Sequence, residues 1–186
     1  LAWTRQLTLA LSTLPRHRAL GVVSFASLHA AMATTSELVA LGPSAVELVD
    51  RTMIDLARSN PSFRPVIERA LVGEPDAILL VEFTGDDAAP TLRRLDDLED
   101  VLAKHGLERH LVKVPVAAEQ KALWDVRKAG LNIMMSLRGD GKPVSFIEDC
   151  AVPLAHLADY VDRLTEIFHR HGTRGTWYAH ASVGTL

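Results

Sequence analysis

One cysteine, Cys150, stands among the 186 residues. A single thiol excludes a disulfide framework within the chain and a multi-cysteine zinc or iron–sulfur site, and it points to a reducing compartment. Long apolar runs are missing too. The longest extend only a handful of residues, too short for a helix that spans a bilayer. No block of Lys or Arg interrupts the near balance of 20 basic and 23 acidic side chains, so the clustered cations that nucleic-acid binding requires are lacking. The chain begins at Leu1 without a signal-peptide pattern and stops at Leu186 without a polar tail, which is the expectation for a piece excised from a larger polypeptide. What is present, 48% hydrophobic against 23% charged residues, suits a folded chain rather than a disordered one, and the length suits one domain.

Apolar β-branched runs alternate with stretches of helical period. Residues 19–25 (ALGVVSF) read as a buried strand, and residues 27–41 as a helix stopped by Gly42 and Pro43. Residues 45–49 return as a strand. Asp50 then caps a short helix carrying Met53, Ile54 and Ala57, closed at Asn60 and Pro61. Three prolines and a glycine mark residues 61–76 as a surface connection, helical in part at best. Residues 77–83 (AILLVEF) form the next strand and residues 86–105 a helix with Leu92, Leu95, Leu98 and Leu102 on one face; residues 109–115 follow as a strand. Residues 117–137 suggest another helix, 144–151 a strand, 153–171 a helix with the stripe Leu154, Leu157, Val161, Leu164 and Phe168, and 174–181 a last strand. Two helices end in His-Gly, at His105-Gly106 and His171-Gly172, a weak hint of internal duplication. The β–helix–β pattern, present three times, implies helices packed on a sheet in an α+β or α/β sandwich.

Few motifs carry chemistry. His169 and His171 are two residues apart on a helix and point in different directions, so they cannot share a metal. The Gly139-Asp140-Gly141-Lys142 run lacks the glycine spacing of a phosphate loop, and Pro143 removes a donor where one is needed. Residues 180–184 (HASVG) place Ser182 where a nucleophile elbow would hold it, but His180 crowds the turn, so a glycine-containing turn after a strand is the better account. His180 itself ends a strand between Ala179 and Ala181, whose small side chains leave room around the imidazole; one imidazole alone is not a metal site. Arg127 lies one helical turn from Trp124. It either stacks on the indole or offers its planar fork to a carboxylate. Glu148 and Asp149, inside an apolar run, are either edge-exposed or ligands.

Four ordered segments, residues 123–130 (LWDVRKAG), 142–149 (KPVSFIED), 151–153 (AVP) and 178–184 (YAHASVG), resemble the C-terminal, substrate-binding domain of FAD-linked oxidases and dehydrogenases of 2-hydroxy acids. This is the superfamily of D-lactate dehydrogenase, glycolate oxidase and D-2-hydroxyglutarate dehydrogenase. The resemblance covers residues 18–186, and residues 1–17 are similar to the closing strand of the preceding FAD-binding domain. The HASVG form is most similar to a branch fused to an iron–sulfur reductase region. The commoner family form is Gly-His-x-Gly-Asp-Gly-Asn-x-His, from which this sequence departs at Ala179, Ser182, Val183 and Thr185; the second histidine would follow Leu186 directly.

The resemblance implies a ferredoxin-like fold, an antiparallel sheet with helices mainly on one face. It implies that Arg127 and Lys142 bind the carboxylate of a small anionic 2-hydroxy acid, that His180 is catalytic as one ligand of a divalent metal (zinc, manganese or iron), and that FAD is held mainly by another domain. Leu131 falls where some members carry a hydroxyl. On this account the fragment alone is inactive, its partners are the FAD-binding domain and an electron acceptor, an iron–sulfur cluster belongs elsewhere in the protein, and homo-oligomerisation stays open. The compartment expected is the cytoplasm, with a peripheral position at the inner membrane as the variant. The rival expectation, from the sandwich architecture alone, is a non-catalytic ferredoxin-like module for small-molecule binding or dimerisation.

Overall fold

The computed structural model describes residues 3–135, 143–144 and 147–186. Its centre is a five-stranded antiparallel sheet in the order β4-β1-β3-β2-β5. The strands are β1 (His17–Phe25), β2 (Ala45–Asp50), β3 (Ala77–Gly85), β4 (Leu111–Val114) and β5 (Tyr178–His180). Helix α1 (Leu28–Ala40) joins β1 to β2, and α4 (Ala88–Ala103) joins β3 to β4. The two β–α–β halves interleave so that β1 and β3 pair over nine residues at the middle of the sheet. The structural repeat therefore relates residues 17–50 to 77–114, and the central helix of each half is followed by a glycine in the left-handed region, Gly42 and Gly106.

Local chemistry sets the element ends. Ser27 accepts the Ala30 amide and starts α1; Asp50 accepts the Met53 amide at 3.0 Å and starts α2 (Arg51–Ser59). The other oxygen of Asp50 accepts the Thr176 hydroxyl and the Trp177 amide, both at 2.9 Å. Those bonds tie residues 176–177 to a side chain instead of a ladder, so the last strand is confined to three residues rather than the eight that the sequence suggests.

Helices cover both faces. On one face α1, α4 and α7 (Leu157–Arg170) pack Met32, Leu38, Leu98, Leu102 and Leu157 against Val23, Leu48, Leu79 and Phe83. On the other, α2, α3 (Arg64–Ala70), α5 (Ala117–Lys128) and α6 (Gly130–Met135) pack Ile54, Ile67, Leu123 and Met134 against Leu20, Val22 and Leu80. The antiparallel α+β sheet is as expected. The second layer goes further than helices mainly on one face, because residues 61–76 are more than a surface connection: α3 buries Ile67 and Ala70. The long helix expected over 117–137 breaks at Ala129, where Gly130 lets α6 approach the methyl group of Met53. The strand expected over 144–151 is not formed by the described residues there. Asp149 takes φ +54°, which interrupts an extended run, and Ala151 makes one isolated bridge to Thr185. Residues 3–15 carry no regular secondary structure, and Trp3, Leu7, Leu9 and Leu11 are exposed. Among the described residues, no helix is long and apolar enough to cross a membrane.

Candidate functional site

Alternation along a strand sends successive side chains to opposite faces, and β2 and β3 each carry one carboxylate toward the face covered by α5. Glu47 on β2 and Glu82 on β3 are 8% and 7% exposed. A strand pattern such as AVELVD or AILLVEF signals both, since a charged residue buried in a sheet must find partners. Sequence reasoning passed over them.

Glu47 has two partners from distant parts of the chain. Arg127 on α5 donates from Nη2 to Oε2 at 2.9 Å, and the Nδ1 of His180 on β5 lies 2.7 Å from Oε1. Glu47 and His180 are register partners across β2 and β5, which is why the imidazole stands over that carboxylate. The alanines flanking His180 do not make room for it: Ala179 and Ala181 face the other way and are buried in the opposite core. The Arg127 guanidinium lies 5.4 Å from the centroid of the Tyr178 ring, so its aromatic partner is Tyr178, and it grips a carboxylate as well. Its Nε is closed off from solvent without a hydrogen-bond partner, an unsatisfied donor of the kind that costs about 1–3 kcal/mol. The Tyr178 phenol is pushed above its ordinary range, first by burial and then by its 3.0 Å bond to Glu148. Glu148 is thus exposed and engaged with a tyrosine.

Glu82 receives the Trp124 indole N–H at 3.0 Å and a longer contact from Arg18 at 3.5 Å. Gln120, buried on the same helix, donates to the carbonyls of Arg18 and Val114 and fixes α5 across β1 and β4. Between that helix and the strand ends runs a cleft of about 700 Å³. Glu47 and Glu82 form part of its floor, Trp124 one wall, and Arg16, Arg18, Lys121 and Lys128 its rim. Asp125 also lines the cleft and holds Lys121 at 2.5 Å, and Arg18 lies 3.5 Å from Glu82, so among the described residues Arg16 and Lys128 are the rim cations left to meet a small anion.

Of the three residues singled out in the sequence, Arg127 and His180 meet through Glu47, and Lys142 lies outside the described residues. Ser182 sits in a single helical turn over Ala181–Val183, closed by Gly184 at φ +70°, the glycine-containing turn after a strand that the sequence suggests. The side chain of His180 is 61% exposed, so with Nδ1 engaged by Glu47 its Nε2 is the nitrogen open to a ligand. Among the described residues no group of three His, Cys, Asp or Glu side chains could hold a metal; one oriented imidazole donor is what they offer.

The chain is 29% identical to D-2-hydroxyglutarate dehydrogenase of Escherichia coli strain K12, over 100% of its own length and 19% of that protein's. It is 26% identical to the mitochondrial D-lactate dehydrogenase [cytochrome] of Arabidopsis thaliana, over 97% of this chain and 30% of that one. The chain thus spans about a fifth of the first relative and less than a third of the second. A solved alkyldihydroxyacetonephosphate synthase overlays 86% of this chain and 32% of its own, with a TM-score of 0.48 at 14% identity. The model of the family described as FAD linked oxidases, C-terminal domain, matches residues 14–186, and the chain belongs to that family.

Proposed function

We propose that this chain is the substrate-binding layer of an FAD-dependent dehydrogenase that oxidises a D-2-hydroxy acid to the 2-oxo acid. The observation that carries the proposal is the meeting of Arg127 from α5 and His180 from β5 on one buried carboxylate of β2, Glu47, which also lines the neighbouring cleft. Family membership and relatives named for 2-hydroxyglutarate and lactate support the substrate class. Residues 1–17 belong, on this proposal, to the FAD-binding domain, residues 18–186 to the substrate domain, and the protein works in the cytoplasm, as its single cysteine suggests.

The chemistry assigned to its side chains is positional. Arg127, with its planar fork of donors, holds the substrate carboxylate, and Lys142 adds a second positive charge. Tyr178 stacks under the guanidinium and limits its motion. Trp124, fixed by its bond to Glu82, walls the cleft and keeps water from one side of the bound acid. His180 presents Nε2 toward the substrate hydroxyl and is the donor this chain offers to a divalent metal. When bound, the flavin supplies the hydride-accepting ring and the metal a Lewis acid for the hydroxyl.

In the flavin-loaded enzyme carrying this domain, Arg127→Ala should raise KM for the acid by the equivalent of about 2–5 kcal/mol; an unchanged KM would remove Arg127 from the site. His180→Ala should lower metal content and kcat together. A flavin that bleaches with one D-2-hydroxy acid supports the reaction, and one that bleaches with none favours a non-catalytic binding module.

A further inference from the structure

We infer that Glu47 is a positioning residue that holds His180 as its Nδ1–H tautomer and Arg127 in one fixed orientation, through its two carboxylate oxygens at once. Oε2 is taken by Arg127 at 2.9 Å, and Oε1 lies 2.7 Å from His180 Nδ1. Arg127 can only donate, and a carboxylate can only accept. The proton in the second contact therefore sits on Nδ1, and the lone pair of the neutral ring falls on Nε2, the nitrogen on the exposed side. An imidazole pinned in this way by a carboxylate is a better and better-aimed donor than a free one. Glu47 is 8% exposed and anchored in the interior of the sheet between β3 and β5, so it has little freedom to follow a moving partner. The inference rests on the proposed role of the site only for the use made of Nε2, not for the tautomer itself.

The substitution Glu47→Gln separates the two bonds. Glutamine has one accepting oxygen and one donating nitrogen. If the oxygen stays with Arg127, the amide must donate to Nδ1, and the proton moves to Nε2. The opposite orientation sets amide N–H against guanidinium N–H and is disfavoured.

The test is long-range proton–nitrogen NMR on the 186-residue chain labelled with 15N-histidine, with His180 identified by the signal lost in His180→Gln, at a pH where the imidazole is neutral. The inference expects the Nδ1–H tautomer in the wild-type chain and a swing toward Nε2–H in Glu47→Gln. A wild-type ring protonated at Nε2, or divided evenly between tautomers, overturns it, and that measurement does not depend on the variant's folding. Retention of Zn²⁺ by the flavin-loaded enzyme should be roughly 10- to 100-fold weaker in Glu47→Gln; equal retention by both overturns the claim that Glu47 aims Nε2. In the flavin-loaded enzyme, Glu47→Gln should raise KM through Arg127 and lower kcat through His180. If the tautomer is as stated while His180→Ala keeps full metal content and rate, the positioning inference stands and the proposed metal role of His180 falls.

Discussion

On β2, Val46 and Leu48 turn to one face of the sheet and Glu47 to the other; on β3, Leu79, Val81 and Phe83 stand opposite Glu82. The first face is sealed by α1, α4 and α7 with mainly apolar side chains, each buried leucine contributing about 1.5–3 kcal/mol. The second is equally apolar at its centre, under α2, α3 and α6, and becomes ionic at the end where α5 crosses. Burying Glu47 and Arg127 there gains little over apolar residues of the same size, since desolvation offsets most of their attraction. A fold that could seal both faces alike leaves charges on one, at the end where the proposed site lies.

The sharpest way to break this comparison is to exchange the ionic pair for an apolar one. Glu47→Leu alone should destabilise by about 3–5 kcal/mol, because it strands the Arg127 guanidinium, and Arg127→Met should cost less, because Glu47 keeps His180. The double variant should return to within about 1 kcal/mol of wild type in urea unfolding while substrate binding is lost. A double variant no more stable than the singles would make the pair a structural necessity. On the dry face, Leu48→Ala should cost about 2–5 kcal/mol with no rescue available from a neighbour.

A smaller effect is expected from Trp124→Phe, which keeps the ring and removes the N–H donated to Glu82. Stability should fall by about 1–2 kcal/mol, read from the unfolding midpoint. The exception on the dry face, Asp50, sharpens the contrast by pH. Burial, opposed by its bonds to Met53, Trp177 and Thr176, holds its carboxyl above the ordinary carboxylate value. The folded chain therefore binds this proton more tightly than the unfolded one. The stabilisation is full below the ordinary value and is lost as pH rises through the elevated one. Relative to Asp50→Ser, which keeps a capping oxygen, wild type should lose stability across that acidic window; a difference that grows with pH contradicts it. Smallest of all, ultraviolet titration of the two tyrosines should show little phenolate at pH 10. Tyr160, held by its bond to Cys150 and by burial, is pushed up to about 12, and Tyr178 also ionises late.

Much of the fold is legible in the chain because its signals are local. Asp50 as a cap, the Leu95, Leu98 and Leu102 stripe, and the runs that become β1 and β3 need only their neighbours to be read. The second helical layer is harder to read, since α3 is seven residues behind prolines and α6 is six residues behind a glycine, both stabilised by what they pack on. Leu92, on the expected stripe, is exposed because α4 turns Thr91 inward instead. Within the site, Arg127 and His180 stood out through motif resemblance. Glu47 did not, because its partners lie 80 and 133 residues away and no local pattern encodes such a meeting.

The three residues of β5 have a consequence for how the imidazole can be kept in place. So short a ladder contributes few bonds of its own, and a slip of one position would exchange His180 for an alanine and carry the ring through to the helix-packed side. What forbids the slip is the lack of space behind the sheet, where only methyl groups fit against Leu48 and its neighbours. The aim of the histidine is thus set from behind, by two of the smallest side chains in the protein, buried in the opposite core. Enlarging either one would misdirect the ring without altering a single residue that contacts it.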